Sequence, residues 1–103
     1  MKRKGTVRVT PSSGNVFRDL GFSPKEAEHL SVRADLLIQL QKVIVSQGLK
    51  QAEIAKILHV TQPRVSNLLR GRIDLFSTDA LLDMLASLGA IVRLVVKAPR
   101  KVA

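Results

Sequence analysis

The sequence predicts a mainly α-helical protein, a compact bundle of four to five helices followed by a C-terminal β-strand. Apolar residues recur every three to four positions through residues 23–89, which is typical of helices that bury one face. Capping residues and glycines divide that stretch into separate helices. Residues 91–96 are rich in β-branched side chains and favour a strand. A chain of 103 residues, 46% of them hydrophobic, can form one small domain with its own core.

The first predicted helix begins after Ser23. Ser23 can cap the helix, Pro24 suits its first position, and Glu26 completes a capping box. The predicted apolar stripe of this helix consists of Ala27, Leu30, Ala34, Leu37, Leu40, Val43 and Ile44. Gly48 marks its end, because glycine readily adopts the left-handed conformation that terminates helices. Ser31 is an alternative dividing point, so the stretch forms either one helix or two.

Two short helices are predicted next, each of about two turns. The first has apolar residues at positions 52, 54, 55, 57 and 58, and it needs tertiary packing because isolated helices of this length are unstable. Thr61 is a candidate N-cap for the second, Pro63 fits its first turn, and Gly71 follows its end. The buried stripe of the second helix consists of Val65, Leu68 and Leu69.

The last predicted helix begins at Ser77 or Thr78, either of which can cap it, and Gly89 follows its end. Its inward face consists of Ala80, Leu81, Leu82, Leu85 and Leu88. At the other end of the chain, residues 1–22 are predicted to form a basic arm. Residues 6–10 alternate as in a short strand, and residues 11–15 form a cluster of turn residues.

Positive charge is concentrated in three regions of the chain, which has 17 Lys and Arg, 8 Asp and Glu, and a formal net charge of +9. Residues 1–10 and 93–103 each contain four basic residues and no acidic one. Residues 50–72 contain five basic residues and only Glu53, whereas residues 73–92 contain three acidic residues and no basic one. A charged terminus is often only a solvated surface, but this polarised middle window favours nucleic acid as the partner.

The composition narrows the function classes further. Aromatic residues are only 3% of the chain, all of them Phe, so the stacking platforms that single-stranded nucleic acid requires are lacking, and duplex DNA is favoured over RNA. The chain has no Cys and two isolated His, which predicts no metal site, no cofactor and no catalysis. No stretch approaches the roughly 20 apolar residues of a membrane span, and a cytoplasmic location is expected.

The two short helices carry the strongest motif. A tight turn at His59 and Val60 joins them, an arrangement in which the second helix can enter the major groove of DNA. Residues 51–71, QAEIAKILHVTQPRVSNLLRG, resemble the helix-turn-helix of the XRE family, the lambda Cro and repressor-like proteins. The resemblance implies a lambda-repressor-like bundle and a DNA-binding transcriptional regulator. His59 stands where the family commonly has Gly, and Lys50 where it commonly has Thr. Since His tolerates positive φ, we expect His59 to adopt it.

Two further stretches look like one subgroup of that family. Residues 14–21 (GNVFRDLG) and 69–77 are similar to HigA-type antitoxins, which bacteria often encode beside toxins. This extends the resemblance to residues 14–96. It implies an alternative function, an antitoxin that binds and neutralises a toxin enzyme and autoregulates its operon. Val16, Phe17 and Leu20 are candidate toxin contacts, and the competing interpretation is that they pack on the protein's own core.

The second short helix provides the candidate DNA contacts. Once its apolar stripe is buried, the side chains predicted to reach base edges are those of Gln62, Arg64, Ser66 and Asn67. Gln and Asn can make bidentate contacts to adenine, and Arg can do so to guanine. Thr61 is expected to cap the helix and to touch phosphate. By resemblance to the family, the remaining candidate phosphate contacts are Gln51, Arg70, Arg72, Ser77 and Thr78, because backbone N–H groups at helix N-termini attract phosphate.

A homodimer is expected, since one short helix reads too few base pairs and this motif normally pairs across two half-sites of an inverted repeat. The predicted interface is the terminal strand, with Ile91, Val92, Leu94 and Val96, because a lone strand leaves its backbone unpaired. Pairing with residues 7–9 of the same chain is the alternative. The predicted organisation is therefore a basic arm and turn segment over 1–22, a helix-turn-helix DNA-binding domain over 23–89, and a strand with a basic tail over 90–103.

Overall fold

The computed structural model describes residues 15–99, and these form a mainly helical bundle. The α-helices are α1 (Val16–Asp19), α2 (Pro24–Gln47), α3 (Gln51–Leu58), α4 (Gln62–Leu69) and α5 (Thr78–Ser87). A short 3-10 helix, Ile73–Leu75, lies between α4 and α5. Among the described residues, no helix is long and apolar enough to cross a membrane.

The sequence predicts a basic arm over residues 1–22, but Val16–Asp19 form the short helix α1. The Asn15 side chain accepts a hydrogen bond from the Phe17 amide at 2.9 Å and donates one to the Ala27 carbonyl at 2.9 Å. The rings of Phe17 and Phe22 pack edge to face, with centroids 6.1 Å apart. One asparagine thus caps α1 and ties it to α2. The short strand expected at 6–10 lies outside the described residues.

Helix α2 is continuous, so the alternative division at Ser31 is wrong. Its sequence contains no glycine and no proline after the first position, and nothing interrupts the backbone hydrogen bonds. The predicted capping box is confirmed, since Ser23 Oγ accepts from the Glu26 amide and the Glu26 carboxylate accepts from the Ser23 amide. The helix ends at Gly48, whose φ of 65° is left-handed.

The short helices begin and end as the capping residues predict. Thr61 Oγ1 accepts from the Arg64 amide at 3.4 Å, and Ser77 Oγ accepts from the Ala80 amide at 3.1 Å, so Ser77 rather than Thr78 is the N-cap of α5. At the start of α3, Glu53 accepts a hydrogen bond from the Lys50 amide at 2.8 Å. This supplies half of a capping box, although the ammonium side chain of Lys50 has no acceptor for the other half.

A single apolar cluster holds α2, α3, α4 and α5 together. Its buried members are Leu37, Leu40, Ile44, Ile54, Ala55, Leu58, Val65, Leu68, Phe76, Leu81, Met84, Leu85 and Leu88. The prediction that Leu82 faces inward is wrong, since it is 36% exposed, and Met84 is buried in its place on the inner face of α5. The periodic pattern ALLDML offers more leucines than one helical face can bury, so sequence alone did not select the face.

The C-terminal strand predicted over 91–96 is not formed in the single chain. Residues 90–99 have no regular secondary structure, although the Ala90 amide still donates to the Leu85 carbonyl at 2.9 Å. Ile91 is 75% exposed and Leu94 83% exposed. A strand requires a neighbouring backbone edge, and no edge lies beside this segment within residues 15–99. The alternative partner, residues 7–9, lies outside the described range.

Candidate nucleic-acid interface

Helices α3 and α4 form a rigid pair joined by a tight turn. His59 has a φ of 59°, which confirms the left-handed position expected for it, and the Val60 amide donates to the Ala55 carbonyl at 3.0 Å. Ala55 is 7% exposed, and its small side chain suits a position where the two helices pack closely. The apolar residues that fix the pair are Ile54, Leu58, Val65 and Leu68, with Val60 partly buried at the turn. The core therefore holds α4 against α3.

Helix α4 presents polar side chains on the surface that its apolar stripe leaves free. Gln62, at the first position, is exposed, and Ser66 and Asn67 are half-buried. Positions 62 and 66 lie one turn apart and share a face of the helix. Gln62 and Ser66 are thus brought together, whereas Asn67, three positions after Arg64, lies on an adjoining side of the helix. Their capacity to donate and accept hydrogen bonds suits base edges in the major groove.

Asn67 is already hydrogen-bonded within the chain. Its Oδ1 accepts from Nη2 of Arg70 at 2.6 Å, and its backbone carbonyl accepts from the Arg72 amide at 3.1 Å. A bidentate contact to adenine uses the side-chain oxygen of Asn67 as an acceptor. Such a contact would therefore replace the hydrogen bond from Arg70 to Asn67, and the Arg70 guanidinium could then bind a phosphate.

Arg64 occupies a different position from the other predicted base contacts. Its guanidinium carbon lies 4.4 Å from the centroid of the Phe76 ring, and Nη1 donates to the Leu75 carbonyl at 3.3 Å. The side chain is half-buried, and Phe76 is 1% exposed. Arg64 is two positions from both Gln62 and Ser66, about 200° around α4, so it does not share their face. Its guanidinium packs on the segment that joins α4 to α5.

The predicted phosphate contacts cluster at helix starts. Gln51 is exposed at the first position of α3, Thr61 and Ser77 are the exposed N-caps of α4 and α5, and Thr78 is half-buried at the first position of α5. The first N–H groups of a helix have no partner inside it and attract anions. These residues therefore lie where a phosphate can be bound by backbone and side chain together.

Arg72, the remaining candidate, is paired with Asp74. Its Nε and Nη2 donate to the two carboxylate oxygens of Asp74 at 3.3 and 3.2 Å. The hydrogen bond from Arg72 holds the pKa of Asp74 below its ordinary value. Both side chains are well exposed, so the pair adds little to stability. The effect of the pair is electrostatic, because the negative charge of Asp74 weakens the attraction of Arg72 for a phosphate.

Sequence reasoning missed Gln41 of α2, which fixes the far end of α4. Its Nε2 donates to the Leu68 carbonyl at 3.0 Å and to the Leu69 carbonyl at 3.4 Å. These are among the last carbonyls of α4, which have no partner inside the helix. Gln41 is 27 residues from Leu68 and 28 from Leu69 along the chain, so no local sequence pattern could have paired them. The Asp74 pair is local and could have been found from its spacing to Arg72.

Comparison with known proteins agrees with this geometry. A family model described as a helix-turn-helix domain matches residues 16–97. A solved structure named as an XRE family transcriptional regulator is similar, with a TM-score of 0.67, 34% identity, and coverage of 76% of this chain and 89% of that chain. The chain belongs to the XRE family of helix-turn-helix proteins. No curated protein sequence matches it.

Membership of the XRE family confirms the resemblance carried by residues 51–71. The family match begins with α1 and continues past α5, so the family unit includes both flanking segments. Residues 15–99 contain no group of three or more acidic or histidine side chains that could hold a metal ion.

Proposed function

We propose that this XRE family protein is a sequence-specific duplex-DNA-binding transcriptional regulator that acts as a repressor. The observation that supports this most is α4, whose apolar side is held in the core while Gln62, Ser66 and Asn67 lie on its accessible side. A protein that occupies a promoter in this way excludes other proteins from the same DNA. The +4 formal charge of residues 50–72, against −3 for residues 73–92, would orient the α3 and α4 surface toward DNA.

The proposed division of labour follows the positions of the side chains. Gln62, Ser66 and Asn67 contact base edges and carry the sequence preference. Phosphate is bound by residues at the starts of α3, α4 and α5 and by two arginines after α4. These residues are Gln51, Thr61, Arg70, Arg72, Ser77 and Thr78. Phosphate contacts fix the register of the protein on the duplex without reading its sequence.

The proposed assembly is a homodimer on an inverted repeat, paired through residues 91–96. Ile91, Leu94 and Val96 are between 75% and 85% exposed in the single chain, and Val92 is 37% exposed. Pairing of this segment with its copy in a second chain would form the predicted strand, satisfy its backbone and cover these side chains. The two α4 helices of a dimer would then read half-sites about one helical turn apart.

A salt titration of duplex binding tests the proposal, using a site selected from random-sequence duplexes by the full-length protein. If about six phosphates per dimer are neutralised, the logarithm of the binding constant falls with the logarithm of salt concentration with a slope of roughly −5. A slope near zero, or failure to enrich any site, would contradict DNA binding.

The variant Gln62→Ala tests sequence reading. Removing a side chain that contacts a base edge is expected to reduce discrimination at one base pair by about 1 to 3 kcal/mol. Gln39→Ala is the matched control, because Gln39 is exposed on α2 and lies about 200° around that helix from Gln41, which bonds α4. Equal losses for Gln62→Ala on the selected site and on random duplex would remove Gln62 from the reading role.

The exposed apolar side chains at the N-terminal end favour a second candidate function, the antitoxin. Val16 is 57% exposed, Leu20 69% and Phe22 43%, whereas Phe17 packs on Phe22. A toxin enzyme encoded beside this gene would be the partner. Leu20→Asn, which adds no charge, is then expected to weaken co-purification of that enzyme while leaving DNA affinity unchanged. Unchanged co-purification would exclude α1 as the toxin contact.

A further inference from the structure

Arg64 links two parts of the DNA-facing surface that the sequence separates. It lies in the first turn of α4, three residues after the Thr61 cap, and its side chain reaches the end of the 3-10 helix. The hydrogen bond to the Leu75 carbonyl spans 11 residues of chain. The guanidinium covers the ring of Phe76, which directly precedes the Ser77 cap of α5. Arg64 thus ties the start of α4 to the start of α5.

The chemistry of these contacts favours retention of Arg64 where it lies. A guanidinium over an aromatic face is attracted by the ring quadrupole, and the attraction grows when the pair is removed from water. Phe76 is 1% exposed and cannot follow Arg64 outward without leaving the core. Any contact with guanine that moved the guanidinium would break its packing on the ring and its hydrogen bond to the carbonyl.

We infer that Arg64 is a positioning residue that sets the angle of α4 relative to the phosphate-binding start of α5, and that it does not read a base. The inference rests on the proposed DNA-binding function and departs from the guanine contact expected of Arg64 from sequence. Base reading is then left to Gln62, Ser66 and Asn67, and Arg64 acts through Leu75 and Phe76.

Positioning and reading make different demands on specificity. A base reader contributes to discrimination at the base pair it touches and nowhere else. A residue that orients the whole helix contributes to every contact that the helix makes. Its loss therefore lowers the affinity for all related sites by one common factor and leaves their ranking unchanged.

The test uses the full-length protein, the duplex it selects from a random pool, and all single-base-pair substitutions of that duplex. Arg64→Met keeps an apolar side chain against Phe76 and removes the guanidinium. It is expected to lower the affinity for every duplex in the set by a common factor of about five. Gln62→Ala is the comparison variant, expected to flatten the preference at one base pair.

A double-variant cycle with Phe76→Leu tests whether Arg64 acts through the ring. If it does, Phe76→Leu has a similar effect, and the double variant binds no more weakly than either single variant. Far-UV circular dichroism and thermal melts identify a Phe76→Leu protein that fails to fold, in which case the specificity profile of Arg64→Met decides alone. Additive losses from a folded pair would overturn the coupling.

Three outcomes contradict the inference in distinguishable ways. Loss of preference at a single base pair in Arg64→Met would make Arg64 a base reader and would leave the DNA-binding proposal intact. Unchanged affinity for the whole set would remove Arg64 from DNA binding altogether. Failure of the wild-type protein to select any duplex would overturn the proposed function itself, and the positioning role with it.

Discussion

The core buries most of its apolar side chains, whereas the two segments that flank it leave most of theirs exposed. Between Leu37 and Leu88, most large apolar side chains of four helices meet in one cluster, although Ile38 and Val45 of α2 are exposed. At α1 and its C-cap the exposed side chains include Val16 and Leu20, and residues 91–96 expose nearly every apolar side chain they have.

This difference separates two kinds of partner. A surface of polar and basic side chains over a fixed core suits DNA, where affinity comes from phosphates and specificity from base edges. Exposed apolar side chains suit protein partners, which bury them. The molecule therefore has a DNA-facing centre and flanks that are suited to protein contact.

The largest effect is expected for a leucine of the core. Leu68 is fully buried, so Leu68→Ala should lower the free energy of unfolding by about 2 to 5 kcal/mol through lost burial and the cavity left behind. Leu20→Ala is the matched change in a flank and should alter it by less than about 0.5 kcal/mol. Urea denaturation measures both. Similar losses would mean that α1 is as much part of the core as α4.

Truncation after Ala90 should abolish the dimer and leave the helices intact. Ala90 is retained because its amide is bonded to the Leu85 carbonyl. Sedimentation should give a monomer with unchanged helical circular dichroism, and DNA affinity should fall because the half-sites are then bound independently. Truncation after Lys97 is the control and should remain dimeric. A dimeric protein lacking residues 91–103 would move the interface to the helices.

Features that depend on local sequence could be predicted, whereas those that depend on the tertiary fold could not. The capping residues Ser23, Thr61 and Ser77 and the turn at His59 act locally, so a local pattern reveals them. The bond from Gln41 to the end of α4 depends on the tertiary fold, as does the packing of Arg64 on Phe76.

Helix α1 was missed because four residues are too few to show a period, although its Asn15 cap was visible. The strand at 91–96 depends on a second backbone edge, which a single sequence cannot supply.

A smaller effect is expected from releasing Arg72. Asp74→Asn removes the carboxylate that holds it, and DNA affinity at low salt should rise by about twofold to fivefold, with the gain lost at high salt. Asp19→Asn adds the same charge at exposed α1 and should raise affinity less. Fluorescence anisotropy with the selected duplex measures both variants. Equal gains would show that only net charge matters and that the Arg72 pair has no specific role.

The smallest effect concerns Asp35 on α2. Partial burial of its carboxyl, and secondarily the charge of Glu28, raise the pKa of Asp35 above its ordinary value. Ionisation therefore costs stability at pH above the raised pKa, and the cost disappears as pH falls below the ordinary value. Asp35→Asn should raise the melting temperature slightly at pH 7 and leave it unchanged near about pH 3. A pH-independent change would assign the effect to packing.

Backbone amide chemical shifts show which residues contact DNA, with the selected duplex added to the labelled full-length protein and a scrambled duplex as control. The selected duplex is expected to shift signals from α4 and from the first turns of α3 and α5, including Gln62 and Ser77, while signals from α1 stay in place. The scrambled duplex should produce smaller changes in α4 than at the phosphate-binding helix starts. Large shifts confined to α1 and residues 91–96, with α4 unchanged, would contradict the assignment of the helix-turn-helix as the DNA-reading surface.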